Sequence, residues 1–184
     1  MLSLDLGDGL ALAPLEPWQA AEFAAYVEAH RAHLRPWLPW AVSITDEASA
    51  RAFLQRYADR QARDEGRIYG LWEDDRLVGG TLFRVFDAAA GTCEIGVWLA
   101  PDEVGRGLVT RAARAMVDWA VGTRGLRRVE WHCVPENLPS RSATARLGMQ
   151  LEGVLRESWE HDGRWWDTEV WAVLGAEWRA GRTT

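Results

Sequence analysis

Apolar positions recur along this chain with two periods, and the switches between them mark the elements. Residues 2–14 alternate as strand, interrupted by a turn at Gly7-Asp8-Gly9. Pro17 suits a first helical position, and helical spacing follows from Trp18 to His30. Thr45 is positioned to cap a second helix, with Asp46 and Glu47 in its first turn; it runs to about Asp64 and Gly66 ends it. Period-two runs then occupy Arg67–Glu73, Arg76–Phe86 and Thr92–Leu99, with turns at Asp74-Asp75 and Ala88–Gly91. A glycine-containing loop leads into a third helix reaching about Ala120, with Gly122 and Gly125 bracketing its end. Arg128–Val134 is rich in β formers, Pro135–Pro139 is a loop, and Ser140 can cap a short helix to Leu147 that Gly148 closes. Met149–Glu160 and Trp165–Leu174 form a hairpin about His161-Asp162-Gly163.

This order predicts an α/β fold: a mixed, mostly antiparallel sheet flanked by helices. The crossover through the third helix requires one parallel strand pair. No internal repeat or interdomain linker is visible, so residues 1–184 read as a single domain.

With 184 residues, 48% of them hydrophobic, the chain can bury a core without disulfides or metal. A net charge of −6 argues against binding along a nucleic-acid backbone. Cys93 and Cys133 sit in apolar runs and read as buried, reduced thiols. His30, His33 and His161 lack metal-ligand spacing, so no metal is expected. There is no basic, apolar leader at the start and no run of the roughly 20 apolar residues that spans a bilayer. The expectation is a cytoplasmic protein without a membrane partner. Twelve tryptophans leave room for a homodimer interface, though no residue specifies one. Trp37-Leu38-Pro39-Trp40 lies in a Pro-punctuated segment unsuited to regular helix. Its tryptophans either line a substrate pocket or plug the core beneath a loop.

The candidate chemistry concentrates in Val97–Thr110: the end of a strand, a short loop and a helix start. Unpaired N–H groups and the positive end of the helix dipole attract phosphate there. Gly105 and Gly107 let a ligand approach the backbone, and Arg106 adds a mobile positive charge. A nucleotide-triphosphate loop of the Gly-Lys-Ser/Thr type is excluded, because the chain contains no lysine.

Four stretches together resemble the GNAT superfamily of acyl-CoA-dependent N-acetyltransferases, and within it the branch acetylating N-termini of ribosomal proteins. They are His33–Trp40, Glu94–Leu99, Val104–Gly107 and Pro135–Ser142, followed by Leu147–Arg156 in the same order. The resemblance covers essentially the whole chain. It implies acetyl-CoA as co-substrate, with its pyrophosphate cradled by Val104, Gly105, Arg106, Gly107, Leu108, Val109 and Thr110. It implies that the backbone of Val97, Trp98 and Leu99 pairs with the pantetheine arm, and that Asn137 hydrogen-bonds it. Ser140 stands where the branch places a hydroxyl able to protonate the departing thiolate, and Glu94 where many members carry a base. Two positions depart. Asp102 replaces the Gln or Arg the superfamily favours, and Trp159 falls where some relatives are acidic, with Glu157 and Glu160 nearby on opposite faces of an alternating strand.

The implied reaction is direct attack of a primary amine on the thioester in a ternary complex. An α-amine of pKa ~7.7–8.0 is already neutral in about a tenth of molecules at pH 7, whereas a lysine amine of pKa ~10.4 is not. The branch resemblance implies a protein or peptide N-terminus as the favoured acceptor, an amine that can be served by a weak base. A small amine, such as an antibiotic or polyamine, stays open within the same chemistry; a non-catalytic acyl-CoA sensor stays open outside it. His132 reads as a structural histidine, and Arg124, Arg127 and Arg128 as solvated surface or a contact to the nucleotide phosphate.

Overall fold

The computed structural model describes residues 3–181; the start of the first expected strand at Leu2 lies outside them. The strands are β1 (Leu4–Gly7), β2 (Leu10–Pro14), β3 (Arg67–Glu73), β4 (Arg76–Asp87), β5 (Thr92–Leu99), β6 (Arg128–Cys133), β7 (Gln150–His161) and β8 (Arg164–Leu174). They form one sheet in the order β1-β2-β3-β4-β5-β6-β8-β7. Pairing is antiparallel for β1–β2, β2–β3, β3–β4, β6–β8 and β7–β8, and parallel for β5–β6. The expected mixed sheet is present. Contacts divide the chain into two compact units, 1–83 with 97–112 and 84–96 with 113–184.

In the first unit, a 3-10 turn at Pro17–Gln19 leads into α1 (Ala20–Leu34), which extends one turn beyond the expected end at His30. Phe23, Tyr26, Val27 and Leu34 of α1 are buried with Phe53, Leu54 and Tyr57 of α3 (Glu47–Ala62) and with Ile68, Leu77 and Leu82 of the sheet. Asp46, not Thr45, caps α3: its carboxylate accepts from the Ser49 N–H at 2.8 Å, while the Ser49 hydroxyl accepts from Asp46 N–H at 3.1 Å. The carboxylate wins because it can also meet the partial positive charge of the helix start. The chain leaves the helix through Asp64 at φ +61°, before Gly66 is reached.

The Pro-punctuated segment does form helix at its end, in α2 (Trp40–Ser43), against expectation. Pro39 has φ −55° and ψ −32°, so its fixed ring angle starts the turn instead of breaking it. Ala41 and Ile44 are buried, and Arg31 of α1 donates to the carbonyl groups of both, at 2.8 Å for Ile44. Gly79 and Gly80 of β4 make room for the Trp98 ring and backbone. A Cβ at Gly80 would stand 2.0 Å from Cζ2 of Trp98.

In the second unit, Ala113, Met116 and Val117 from the later part of α4 (Leu108–Asp118) are buried, as are Val129, Trp131 and Val173 of the sheet. The expected α-helical end near Ala120 is instead a wider π turn over Trp119–Thr123. Short helices α5 (Leu138–Arg146) and α6 (Gly175–Ala180) complete the unit. The β7–β8 register slips between Leu155 and Trp159, and Glu157 there has φ +47°. This bulge breaks the alternation from which opposite faces were expected for Glu157 and Glu160. Among the described residues no helix is long and apolar enough to cross a membrane.

Candidate active site

In the first unit β5 ends at Leu99, Pro101–Glu103 makes one 3-10 turn, and the loop through Gly107 opens into α4 at Leu108. Pro101 initiates the turn, and the buried Glu103 and Leu108 pin the loop at both ends. Gly105 and Gly107 have φ of +90° and +77°, a region disfavoured for side-chain-bearing residues. A Cβ built on either meets nothing within 4 Å, so the loop's glycine edge faces open space. The hydrogen bond from Arg111 N–H to Gly107 C=O, 3.1 Å, opens the helical ladder. The N–H groups of Leu108, Val109 and Thr110 precede that bond and have no earlier helical carbonyl to meet. Such donors beside an open glycine edge are the arrangement that suits a diphosphate. Asp102 is exposed, so the departing residue does not turn its carboxylate into the loop's buried anchor.

Arg106 is not the mobile charge its sequence context suggested. Its guanidinium pairs with Glu73 at 2.5 and 3.0 Å and with Glu103. Arg76 closes the group, reaching Glu103 at 2.6 Å and Glu73 at 3.3 Å. The Arg106 guanidinium holds Glu73 below the ordinary carboxylate range, and Arg76, ahead of Arg106, does the same for Glu103. Arg111, in the first turns of α4, is also engaged: it donates to the carbonyl groups of Leu6 and Gly7 and pairs with Asp8 at 3.3 Å. Both guanidinium groups of the loop and helix start thus face protein acceptors.

Of the two tryptophans expected to meet substrate, Trp40 packs into an aromatic group with Phe23, Phe53 and Trp98, at centroid distances of 5.6, 5.7 and 5.4 Å. It behaves as the core plug. Trp37 is half-buried in the turn after α1. Trp98 is buried in the same aromatic group, so only its backbone could meet a ligand arm.

In the second unit Asn137, not Ser140, caps α5. Its Oδ1 accepts from the Ser140 N–H at 3.1 Å, which leaves the amide NH2 as the half suited to a ligand. Ser140 is one turn inside the helix start, and its hydroxyl oxygen accepts from the Trp131 indole N–H at 2.8 Å. The hydroxyl's own proton is not used in that bond and lies beside the Cys133 sulfur. Burial pushes the Cys133 thiol up to about 11 although the Ser140 hydroxyl beside it favours the thiolate. Burial likewise pushes Cys93 up to about 12, so both sulfurs are neutral thiols at pH 7, as expected of reduced core cysteines.

Glu94 is buried in β5 and binds Arg84 of β4 through both carboxylate oxygens. It opens a ladder across the strands. His132 Nδ1 stands 3.8 Å from Glu94, His132 Nε2 is 3.0 Å from Glu130, and Arg128 reaches Glu130 at 2.6 Å and Glu152 at 2.5 Å. His132 is therefore structurally satisfied. Arg128 is engaged rather than solvated, and Arg124 stacks over Phe86 and Trp119.

Periodicity did not single out Glu73, Arg76, Glu103 or Arg84. The i,i+3 pairs Glu73–Arg76 and Glu103–Arg106 were the only visible signal; the link between the pairs spans 33 residues and is created by folding.

A family model described as an acetyltransferase (GNAT) domain matches residues 11–150. A probable N-acetyltransferase of Bacillus subtilis, YjcK, is 33% identical over 127 residues, 67% of this chain and 70% of its own. A ribosomal-protein alanine N-acetyltransferase of Escherichia coli is 26% identical over 91% of this chain and 87% of its own. Among solved structures, Mycobacterium smegmatis RimJ in complex with CoA-disulfide superposes with a TM-score of 0.83 at 27% identity, covering 91% of this chain and 83% of that one. With that match, the glycine-edged helix start and the mixed sheet that carries it have a single reading: the chain belongs to the GNAT acetyltransferase family and is an acetyl-CoA-dependent N-acetyltransferase.

Proposed function

We propose that the acceptor is the α-amine of a protein or peptide N-terminus, of the ribosomal-protein kind. The observation carrying this reading is the state of Glu94. Both of its oxygens accept from the Arg84 guanidinium, which fixes the carboxylate in one orientation and commits part of its lone-pair capacity. A carboxylate committed in this way suits an amine that is already about a tenth neutral at pH 7 better than one of pKa ~10.4. The Escherichia coli relative named for ribosomal-protein alanine acetylation supports the same class.

In this reading the N–H groups from Val104 to Thr110 hold the diphosphate of acetyl-CoA, and the backbone of Val97–Leu99 pairs with the pantetheine amides as an added strand would. Asn137 contributes its amide NH2 to the same arm. Ser140, fixed by Trp131 through its lone pair, gives its proton to the departing thiolate sulfur. Glu94 orients the amine and takes its proton through water. Of the aromatic segment, Trp37 is the residue offered to the acceptor. Acetyl-CoA itself supplies the activated thioester.

The test follows free thiol on mixing acetyl-CoA with peptides bearing free or blocked N-termini, with polyamines and with aminated antibiotics. Release with free N-termini alone is expected. Release only with small cationic amines, which the net charge of −6 would attract, overturns the acceptor assignment. Binding of acetyl-CoA without release on any amine would indicate a sensor.

A further inference from the structure

The loop that would hold the diphosphate carries two glycines with positive φ, and such a loop is costly to order. Its order here is imposed from outside. Glu73 ends β3, Arg76 begins β4, Glu103 closes the 3-10 turn and Arg106 lies between the two glycines. These four residues form two acids and two guanidiniums of zero net charge, centred on the Glu103 carboxylate, whose side chain is only 5% exposed.

We infer that Glu73, Arg76 and Glu103 are positioning residues for acetyl-CoA: with Arg106 they clamp the diphosphate loop onto the end of the β3–β4 hairpin. This rests on the reading that Val104–Thr110 hold the diphosphate. The clamp fixes the N–H groups in their binding directions before the ligand arrives, which lowers the ordering cost of binding. Arg106 acts through the loop's shape and does not serve as a free phosphate ligand, because its two terminal nitrogens are occupied by Glu73 and Glu103. The competing arrangement has Arg106 exchanging Glu73 for phosphate. The two make opposite predictions. A carboxylate that competes for Arg106 weakens binding, so removing it tightens binding; a carboxylate that positions Arg106 strengthens binding, so removing it loosens binding.

The experiment measures coenzyme A affinity by titration calorimetry, and steady-state kinetics with a peptide acceptor, for wild type, Glu73→Gln, Glu103→Gln and Arg76→Gln. Each variant is expected to raise the coenzyme A Kd and the acetyl-CoA KM about tenfold, with kcat at saturating donor and the acceptor KM changed less than about twofold. Arg76→Lys, which keeps the charge and one contact, should recover part of the loss. A general fold defect would instead lower kcat and disturb both KM values. Should Glu103→Gln fail to fold, Glu73→Gln and Arg76→Gln carry the test, because those side chains are more exposed. Unchanged or tighter coenzyme A binding in Glu73→Gln and Arg76→Gln, with wild type binding normally, overturns the clamp alone. Absence of heat from wild type with coenzyme A overturns the clamp together with the diphosphate reading.

Discussion

Two charge networks of similar composition serve different purposes in this molecule. In the first unit, Glu73, Arg76, Glu103 and Arg106 close around one buried carboxylate and draw a loop into a fixed shape. In the second unit, Arg84 of β4, Glu94 of β5, His132, Glu130 and Arg128 along β6, and Glu152 of β7 form a line of charges. Much of that line stands on extended strands whose own ladders hold the backbone, so losing an outer pair such as Arg128–Glu152 costs little stability. A closed group that anchors irregular backbone has no such redundancy. What an ion pair does here depends on the stiffness of the backbone it grips.

The comparison breaks most severely at the loop itself. Gly107→Glu forces a side chain into φ +77° and places a carboxylate where a diphosphate would sit. Coenzyme A should then give no detectable heat in calorimetry, whereas Arg128→Glu, a charge reversal in the ladder, should leave coenzyme A affinity within about twofold. Next in size is Ser140→Ala, which tests chemistry in the second unit. It should lower kcat by about a hundredfold or more, within the range for a lost general acid, with donor affinity nearly kept. Equal losses in both would leave the Ser140 hydroxyl only its structural contact with the Trp131 indole. Asp46→Ala, remote from either network, should lower the urea unfolding midpoint modestly and leave kinetics intact.

The smallest effect is on acid stability. Glu73 and Glu103 have folded-state values below those of an unfolded glutamate. Their contribution is complete above about pH 4.3 and is lost as pH falls through the depressed folded values. In Glu103→Gln the acid limb of a thermal-melt series should therefore be shallower than in wild type.

The regular elements and the loop were legible along the chain because their signals are local: alternating periods, Gly105 and Gly107, Pro101. Departures came where one residue competes with a neighbour for a backbone group. Asp46 displaced Thr45 at one helix start and Asn137 displaced Ser140 at another, since a cap is decided by geometry that single positions do not encode. Trp40 looked like a loop aromatic until α1 and α3 closed around it. Arg106 looked free because its partner Glu73 is distant in the chain, and the Glu94 pairing with Arg84 was hidden for the same reason across a hairpin.

Apart from the His132 imidazole, every basic side chain in both networks is a guanidinium, because the chain has no lysine. Thioesters acylate neutral amines, and arginine, with a pKa above about 12, presents none at physiological pH. The protein can therefore sit in a concentrated pool of its own reactive co-substrate without internal side-chain amines being capped, and its salt links cannot be erased by the very chemistry it performs.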